Sequence, residues 1–486
     1  VERGGVIGPA QLRAHRYARR RMDLALTVGT TSPTVDPGRL ARRSTVASFG
    51  LALALLAGAG VIAAVRPAPD WSAAEVLVDT GSGAVYLNRD GVLHPALNLV
   101  SALLAADTPV APEPLQVSGA DIEGVPRGPL IGIAGAPAEL PTRDRLITTG
   151  WTLCVQSAAD GSSSTTAVFG APAPGISMPA STAALVRTDD RAGGSADHLI
   201  WAGRSIPVDP TDRALTDALG VTGASPRPVD GALTSVLPAV AAPTAPVPSG
   251  AGGRADVEIT DAAGDPVPVG AVLRTEQADG RMTLHLLHRD GVESLTPVVA
   301  DLAAARIGSG VVPVQGWQVA ALPDTQEPPT VTTALPPTAP RLVPADDSLC
   351  ATWQGTTAGW GLSAGGALEG TSVSAPGSRV DRILMPPGAG AVVRVVDAAG
   401  DADPVDRLIT GAGVVYPLGA EVATRLGLTD DGATPPAVPA ALVGLLSAGP
   451  PLTVESAGVA WDPGEITGVP TAAPTTGPSP QPAEGP

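Results

Sequence analysis

The segment AVYLNRDGVLHPALNLVSALL, Ala84 to Leu104, decides the fold. Apolar and polar residues alternate on either side of Asp90-Gly91, which reads as two short strands joined by a tight turn. Pro95 stands ahead of an Ala/Leu stretch and sets the start of a helix. The layout returns three times: HLIWAGRSIPVDPTDRALTDALG (His198 to Gly220), LHLLHRDGVESLTPVVADLAAA (Leu284 to Ala305) and RLITGAGVVYPLGAEVATRLG (Arg407 to Gly427). The second and fourth copies continue into a further Pro-started helix, at Pro228 to Ala239 and Pro436 to Pro450. A hairpin with one helix buries too little apolar surface to stand alone, so each copy must pack on a neighbour or on a shared hub.

Composition agrees with several small cores. Of 486 residues only 12 are aromatic, while Gly 58 and Pro 52 supply frequent turns. Every one of the 30 basic residues is arginine, so no Walker A phosphate lysine and no Schiff-base lysine exists. The net charge of -17 is unevenly spread. Residues 1 to 45 carry nine arginines against Glu2, Asp23 and Asp36, whereas the sequence after 65 carries 21 arginines against 44 acidic residues. An acidic body of this kind repels phosphate backbones, which argues against nucleic acid as a partner.

Between the basic arm and the acidic body lies VASFGLALALLAGAGVIAAV, Val46 to Val65, with no charge. Twenty helical residues cover about 30 Å, the hydrocarbon thickness of a bilayer. The alternative, a cleaved signal peptide, fits poorly with a charged region of about 45 residues and an apolar run longer than the usual h-region. A retained single-pass anchor is expected, with the basic end cytoplasmic by the positive-inside rule and the bulk of the chain extracytoplasmic. Ala54, Gly58, Gly60 and Ala64 form small-xxx-small pairs along which another helix could pack, or the segment could simply face lipid. The arm before it, Gln11 to Gly29, reads as a basic helix. It presents Leu12, Arg16, Tyr17, Arg20 and Met22 to a docking partner or to anionic lipid, or it is an ordinary solvated arm.

Two cysteines remain, 196 positions apart, each three residues from a tryptophan in mirror order: Trp151-Thr-Leu-Cys154 and Cys350-Ala-Thr-Trp353. They are free buried thiols or, in an oxidising compartment beyond the membrane, a disulfide. No catalytic constellation emerges. His285 and His288 sit an odd number apart on an expected strand and so face opposite ways, against a metal site. Gly361-Leu-Ser363-Ala-Gly365 matches the nucleophile-elbow pattern but lacks the strand and helix around it. The carboxylate pairs Asp189-Asp190, Asp346-Asp347 and Asp430-Asp431 fall in turn-rich surroundings and read as solvated surface.

Taken in order, HRYARRRMDLAL, the apolar run ending at Arg66-Pro67, GAVYLNRDGVLHPALNLVSALL, PRGPLIGIAGAPAELP with WTLC, DGVESLTPVVADL, CATW and PAALVGLLSAGPPL resemble the EccB membrane component of actinobacterial type VII (ESX) secretion systems. The resemblance implies an α+β fold: a single N-terminal transmembrane helix, then an elongated extracytoplasmic domain of four small hairpin/helix repeats around a β-rich central domain. It also implies a Cys154–Cys350 bridge, residence in the inner (plasma) membrane, self-association, and partners of the EccC, EccD and EccE type, with peptidoglycan as a further ligand. Family members are described as ATPases, but no nucleotide site maps onto this chain, so neither a cofactor nor intrinsic catalysis is expected. ATP with Mg, and a standalone cell-wall-binding role, remain the alternatives.

The domain map begins with a cytoplasmic arm (1–45), the span (46–65) and repeat 1 (66–115). The central domain is then built from two separate stretches, 116–196 and 306–380, with repeat 2 (197–240) and repeat 3 (254–305) between them. Repeat 4 (381–460) and a disordered Pro-rich tail (461–486) complete the chain. Two departures from the family pattern stand out, the Pro-rich insert at 323–340 and the Gly-rich segment at 355–370.

Overall fold

A computed structural model describes residues 8–29, 37–65 and 70–461, apart from short gaps at 159, 161, 190–193, 245–246, 278, 309, 330–333, 371, 375, 398–400, 420 and 431. The chain divides into two units, Val1–Asp70 and Trp71–Pro486. The first holds two helices. In α1 (Pro9–Val28), Pro9 occupies the first turn, where a missing N–H costs nothing, and Gly29 closes the helix at φ 73°. Helix α2 (Pro37–Val65) begins nine residues before the apolar run and carries Arg39, Arg42 and Arg43 in its opening turns.

The second unit is mixed α+β and rich in sheet. Chain order brings first β1 (Val76–Asp79), β2 (Val85–Arg89), β3 (Val92–Ala96), α3 (Leu99–Ala105), β4 (Leu115–Val117) and β5 (Leu130–Ile131). Strands β1, β2 and β3 form an antiparallel meander, and after α3 the chain returns so that β4 lies parallel to β1. The order 3-2-1-4 recurs in a second sheet of β9 (Thr182–Asp189), β10 (Ser195–Trp201), β11 (Arg204–Val208), α4 (Arg213–Ala218) and β12 (Arg227–Val229). After α5 (Ala232–Val236) it recurs again in a third sheet of β13 (Val272–Glu276), β14 (Met282–Leu287), β15 (Val292–Leu295), α6 (Pro297–Ile307) and β16 (Val311–Pro313). The fourth sheet has it too: β22 (Ala391–Val396), β23 (Ala402–Ile409), β24 (Val414–Pro417), α8 (Val422–Arg425) and β25 (Ala437–Pro439), with β26 (Ser447–Ala448) added beside β24.

A seven-stranded hub sheet interrupts this series. It takes β6 (Trp151–Ser157), β7 (Ser163–Phe169) and β8 (Ile176–Ser177) from before the second sheet. From after the third it takes β18 (Leu349–Trp353), β19 (Trp360–Ala364), β20 (Ser372–Val373) and β21 (Arg382–Leu384). Its order is β20-β21-β7-β6-β18-β19-β8. A short β17 (Arg341–Leu342) pairs with β9, and β27 (Ala460–Trp461) pairs with β5.

The expected hairpins are present, but each sits in a larger unit than the sequence pattern suggests. The strands before the second and fourth hairpins, β9 and β22, are buried along nearly their whole length, so no alternation marks them, whereas β13 before the third leaves Arg274 and Glu276 exposed. The closing strands β4, β12, β16 and β25 are three residues each, too short to show a period. Consequently β9 lies within 116–196 yet pairs with β10, and β16 lies within 306–380 yet pairs with β13. Trp461, placed at the head of the tail by the sequence reading, belongs to β27, and residues 462–486 lie outside the described residues. The helices after the hairpins run 7, 6, 11 and 4 residues, and the two further helices start not at Pro228 and Pro436 but at Ala232 and Ala440, because Pro228 belongs to β12 and Pro436 precedes β25.

Burial shows how these small sheets stay folded. The first and fourth share a core in which Leu87 and Leu104 meet Leu408, Leu426 and Leu452. The second and third share another, Leu199, Ile206 and Leu219 against Val298 and Leu302 of α6. The hub joins the far faces of the second and fourth sheets through Leu153, Phe169, Ile200, Leu233, Val393 and Leu442. Each such leucine contributes about 1.5–3 kcal/mol only when covered, which a lone sheet cannot arrange.

The turn between β10 and β11 also serves the hub. Ala202 (φ 47°) and Gly203 (φ 74°) form the tight left-handed pair, and a Cβ on Gly203 would collide with the Trp360 carbonyl oxygen of β19. Gly203→Ala is therefore expected to cost at least about 2 kcal/mol, from backbone strain plus the displaced contact. A urea titration of the full chain that leaves the midpoint unmoved would contradict this docking.

Candidate functional site

The mirror order of the cysteine motifs becomes an antiparallel register in the hub. Strands β6 and β18 pair so that Trp151 faces Trp353, Thr152 faces Thr352 and Cys154 faces Cys350. The sulfurs are bonded, with Cα atoms 4.0 Å apart. Because an odd separation puts Trp and Cys on opposite faces, the sheet has two distinct sides. On one, Trp151 packs at 5.4 Å from Phe169, and Trp353 at 5.5 Å from Trp360. On the other, the fully buried disulfide lies among Val168 and Leu384. The Thr152 and Thr352 hydroxyls, 2.9 Å apart, share a hydrogen bond across the pair.

Two polar side chains fasten neighbouring sheets to this hub. Trp353 Nε1–H donates to Ala437 O of β25 at 2.8 Å. Arg227 of β12 is 2% exposed, and its guanidinium donates to Asp347 O at 2.6 Å and to Pro344 O, in the loop leading into β18. Burial pushes the Arg227 pKa down, and the charges of Asp347 and Asp346 partly offset it. The pair Asp346-Asp347 thus sits beside a buried cation. Asp430 forms an ion pair with Arg143, while Asp190 and Asp431 lie outside the described residues.

Ser363, His285 and His288 are all engaged in hydrogen bonds within the fold. Ser363 lies within β19, not at a strand-to-helix turn, and its hydroxyl donates to Pro174 O at 2.7 Å. The Gly-rich segment around it is a hairpin, whose turn uses Gly355 and Gly359 at positive φ. Half-buried His285 stands on β14 with Nδ1 3.3 Å from Ser294 Oγ, and His288 is buried just past the strand end. Among the described residues no group of His, Cys, Asp or Glu could hold a metal ion. A cleft of about 380 Å³ on the second sheet contains Arg187 paired bidentately with Asp197, at 2.6 and 2.7 Å, so its buried carboxylate is already satisfied.

In α1 the side chains of Leu12, Tyr17 and Met22 are 45%, 53% and 68% exposed, with Arg16 and Arg20 exposed beside them, while Leu24 is buried. In α2, Val46, Phe49, Leu51, Leu53, Leu55 and Leu56 all face outward, as do Ala54 and Gly58. The side chains of 59–65, including Gly60 and Ala64, lie outside the described residues. Among the described residues no helix is long and apolar enough to cross a membrane, so the expected single span is not seen there.

The family description type VII secretion system ESX-1, transport TM domain B, matches residues 7–463. The chain belongs to the EccB family. Among EccB relatives it is 32% identical over 61% of its length to the ESX-3 secretion system ATPase EccB3 of Mycolicibacterium smegmatis, covering 57% of that protein. It is 29% identical over 92% of its length to the ESX-2 secretion system ATPase EccB2 of Mycobacterium tuberculosis, covering 94% of it. With EccB3 and EccB5 relatives the chain thus spans under two thirds of their length. Among solved structures, a chain of the intact ESX-5 inner membrane complex matches with a TM-score of 0.66 and 26% identity over 99% of both chains. The EccB3 dimer from the ESX-3 core complex matches at 0.67 and 28%, covering 79% of this chain and 100% of that one.

The EccB resemblance carried the cysteine bridge but pointed to neither Arg227 nor Trp360 as a contact between sheets. The signal for Arg227 was a lone arginine between two prolines, Pro226 and Pro228, where a solvated side chain has little reason to be anchored.

Proposed function

We propose that this chain is a structural subunit of a type VII secretion inner-membrane complex, organising its extracytoplasmic side. One observation carries the reading: near-complete correspondence, 99% of both chains, with a component of an assembled ESX-5 inner membrane complex. In this reading α2 supplies the single membrane span, supported by its 29 helical residues, about 43 Å at 1.5 Å each, and its outward-facing apolar side chains. The arm up to residue 45 is cytoplasmic, and everything beyond the span is extracytoplasmic. The four sheets of common strand order act as repeats clamped by the hub. Ala54, Gly58, Gly60 and Ala64 form the packing face toward other spans, and Leu12, Arg16, Tyr17, Arg20 and Met22 dock α1 on partners of the EccC, EccD and EccE type. Self-association is supported by the likeness to an EccB3 dimer. ATP hydrolysis, the activity in the relatives' names, would need a phosphate site without lysine, built on arginine or on backbone N–H groups.

The test is gentle solubilisation of membranes followed by affinity recovery of the chain. A large assembly is expected with the wild type. Arg16→Glu with Arg20→Glu is expected to cut the recovered partners at least tenfold while the chain itself stays in the membrane pellet after alkaline carbonate. Recovery of the wild type as a lone monomer would refute the assembly role, and release by carbonate would refute the span.

A further inference from the structure

The Pro-rich insert does not stand away from the third sheet. After α7 (Gly316–Ala320), residues 323–327 run along the edge strand β15. Val292 N–H donates to Pro323 O at 2.9 Å, and Thr325 N–H donates to Val292 O at 3.0 Å, so that Asp324 pairs with Val292 as a single parallel bridge. Gly291 makes room underneath, since a Cβ there would strike the Pro323 carbonyl. Asp290, in the turn between β14 and β15, accepts the Thr325 hydroxyl at 2.6 Å and the Gln326 N–H at 2.9 Å. Thr325 Oγ1 in turn accepts the Glu327 N–H at 3.1 Å.

This strap delivers Glu327 to one side of the His288 ring. His288 is 1% exposed, with Nδ1 3.1 Å from Glu327 Oε2 and Nε2 3.0 Å from Glu293 Oε2 on β15. An ionised carboxylate only accepts, so both contacts are hydrogen bonds only if both ring nitrogens carry a proton. A neutral imidazole has one N–H and can serve only one of the two carboxylates, so the more exposed of them, Glu327 at 27% against 16% for Glu293, is the one that turns to water.

We propose that His288 is a pH-operated latch: the doubly protonated ring clamps strap 323–327 to the edge of the third sheet, and loss of one ring proton releases Glu327 and frees the strap. The charged groups around it are Glu293 from β15, Glu327 from the strap and Asp290 from the turn. Arg289 points to Asp256 at 3.2 Å, and Asp324 acts on His285. Burial is the largest single influence on His288 and pushes its pKa down. The hydrogen bonds and charges of Glu293 and Glu327 together outweigh it and hold the ring above its ordinary value of about 6.5. Asp290 is held below the usual carboxylate range, first by the Thr325 hydroxyl and then by the Gln326 N–H, so it stays an acceptor throughout. Because the folded state binds the His288 proton more tightly than the unfolded chain, the latch contributes in full below about pH 6.5. Its contribution is lost as pH rises through the raised folded-state value. Release bares the N–H and C=O groups of β15 that the strap occupies, an open sheet edge.

Hydrogen exchange of the full-length chain in detergent, corrected for the intrinsic pH dependence of exchange, reads the latch at the Thr325 and Gln326 amides, with the β13–β14 amides as reference. Protection of the strap relative to the reference is expected to fall at least tenfold from pH 6 to 8.5. His288→Asn is expected to be unprotected and flat across that range. Wild-type strap protection that does not change with pH, or an identical pH profile in His288→Asn, would overturn the latch. If His288→Asn also loses protection in β13–β14, titration of carbon-13-labelled histidine in the wild type decides: a His288 midpoint above about 6.5 that Glu327→Gln lowers supports it, and a midpoint at or below that value refutes it.

Discussion

Replacing both bridging cysteines, Cys154→Ala with Cys350→Ala, is expected to lower the stability of the hub by roughly 5 kcal/mol, the chain-entropy value for so long a loop. The bond joins residues 196 positions apart, and the loop it closes contains the whole of the second and third sheets. Without it the denatured chain regains the freedom of that loop, while the folded hub keeps its strand pairing and its Trp151, Trp353 and Trp360 packing. Tryptophan emission during urea unfolding reports directly on these rings. The same loss is expected on adding a strong reductant to the unfolding wild type, and no loss in the double variant on adding reductant. A midpoint equal in wild type and double variant would mean that strand pairing alone defines the hub.

The second large effect is expected at Arg227. Arg227→Met preserves much of the apolar stem but removes both donors, leaving Pro344 O and Asp347 O without their partner. An unsatisfied acceptor costs about 1–3 kcal/mol, so a total loss of about 3 kcal/mol follows, with looser packing of the second sheet on the loop before β18. Arg227→Lys should recover less than half, since a single ammonium cannot reproduce a planar fork directed at two carbonyls. Urea midpoints give the energies, and proteolysis within 344–347 gives the location. Faster cleavage in Arg227→Met with an unchanged midpoint would assign the residue to loop order alone.

What the sequence revealed, and what it hid, follows from burial. The turns at Asp90-Gly91 and Ala202-Gly203 announce hairpins because positive φ restricts which residues fit and the flanking strands alternate. Strands β9 and β22 are covered on both faces and therefore show no alternation, and the three-residue closing strands show nothing. In the hub, Trp151-Thr-Leu-Cys154 and Cys350-Ala-Thr-Trp353 stand in mirror order in the sequence, and the antiparallel register that matches this order came only with the structure. Beyond the local pairs β6–β7, β18–β19 and β20–β21, the hub order is not legible in the letters, since β7 with β21 and β8 with β19 join segments some 200 residues apart. Likewise Glu327 belongs to a stretch whose prolines suggest an extended linker, and only the strap over β15 gives its carboxylate a partner.

The shared cores are nested, the second sheet with the third inside the first with the fourth, and β27 closes the outer pair on β5. A polypeptide leaving the ribosome amino end first therefore finishes its inner pair early, whereas Leu87 and Leu104 wait for Leu408 and Leu452. At about 5–20 residues per second that delay is on the order of tens of seconds. Throughout it the earliest-made sheet keeps a greasy face without its cover, the interval in which wrong pairing is most open to it.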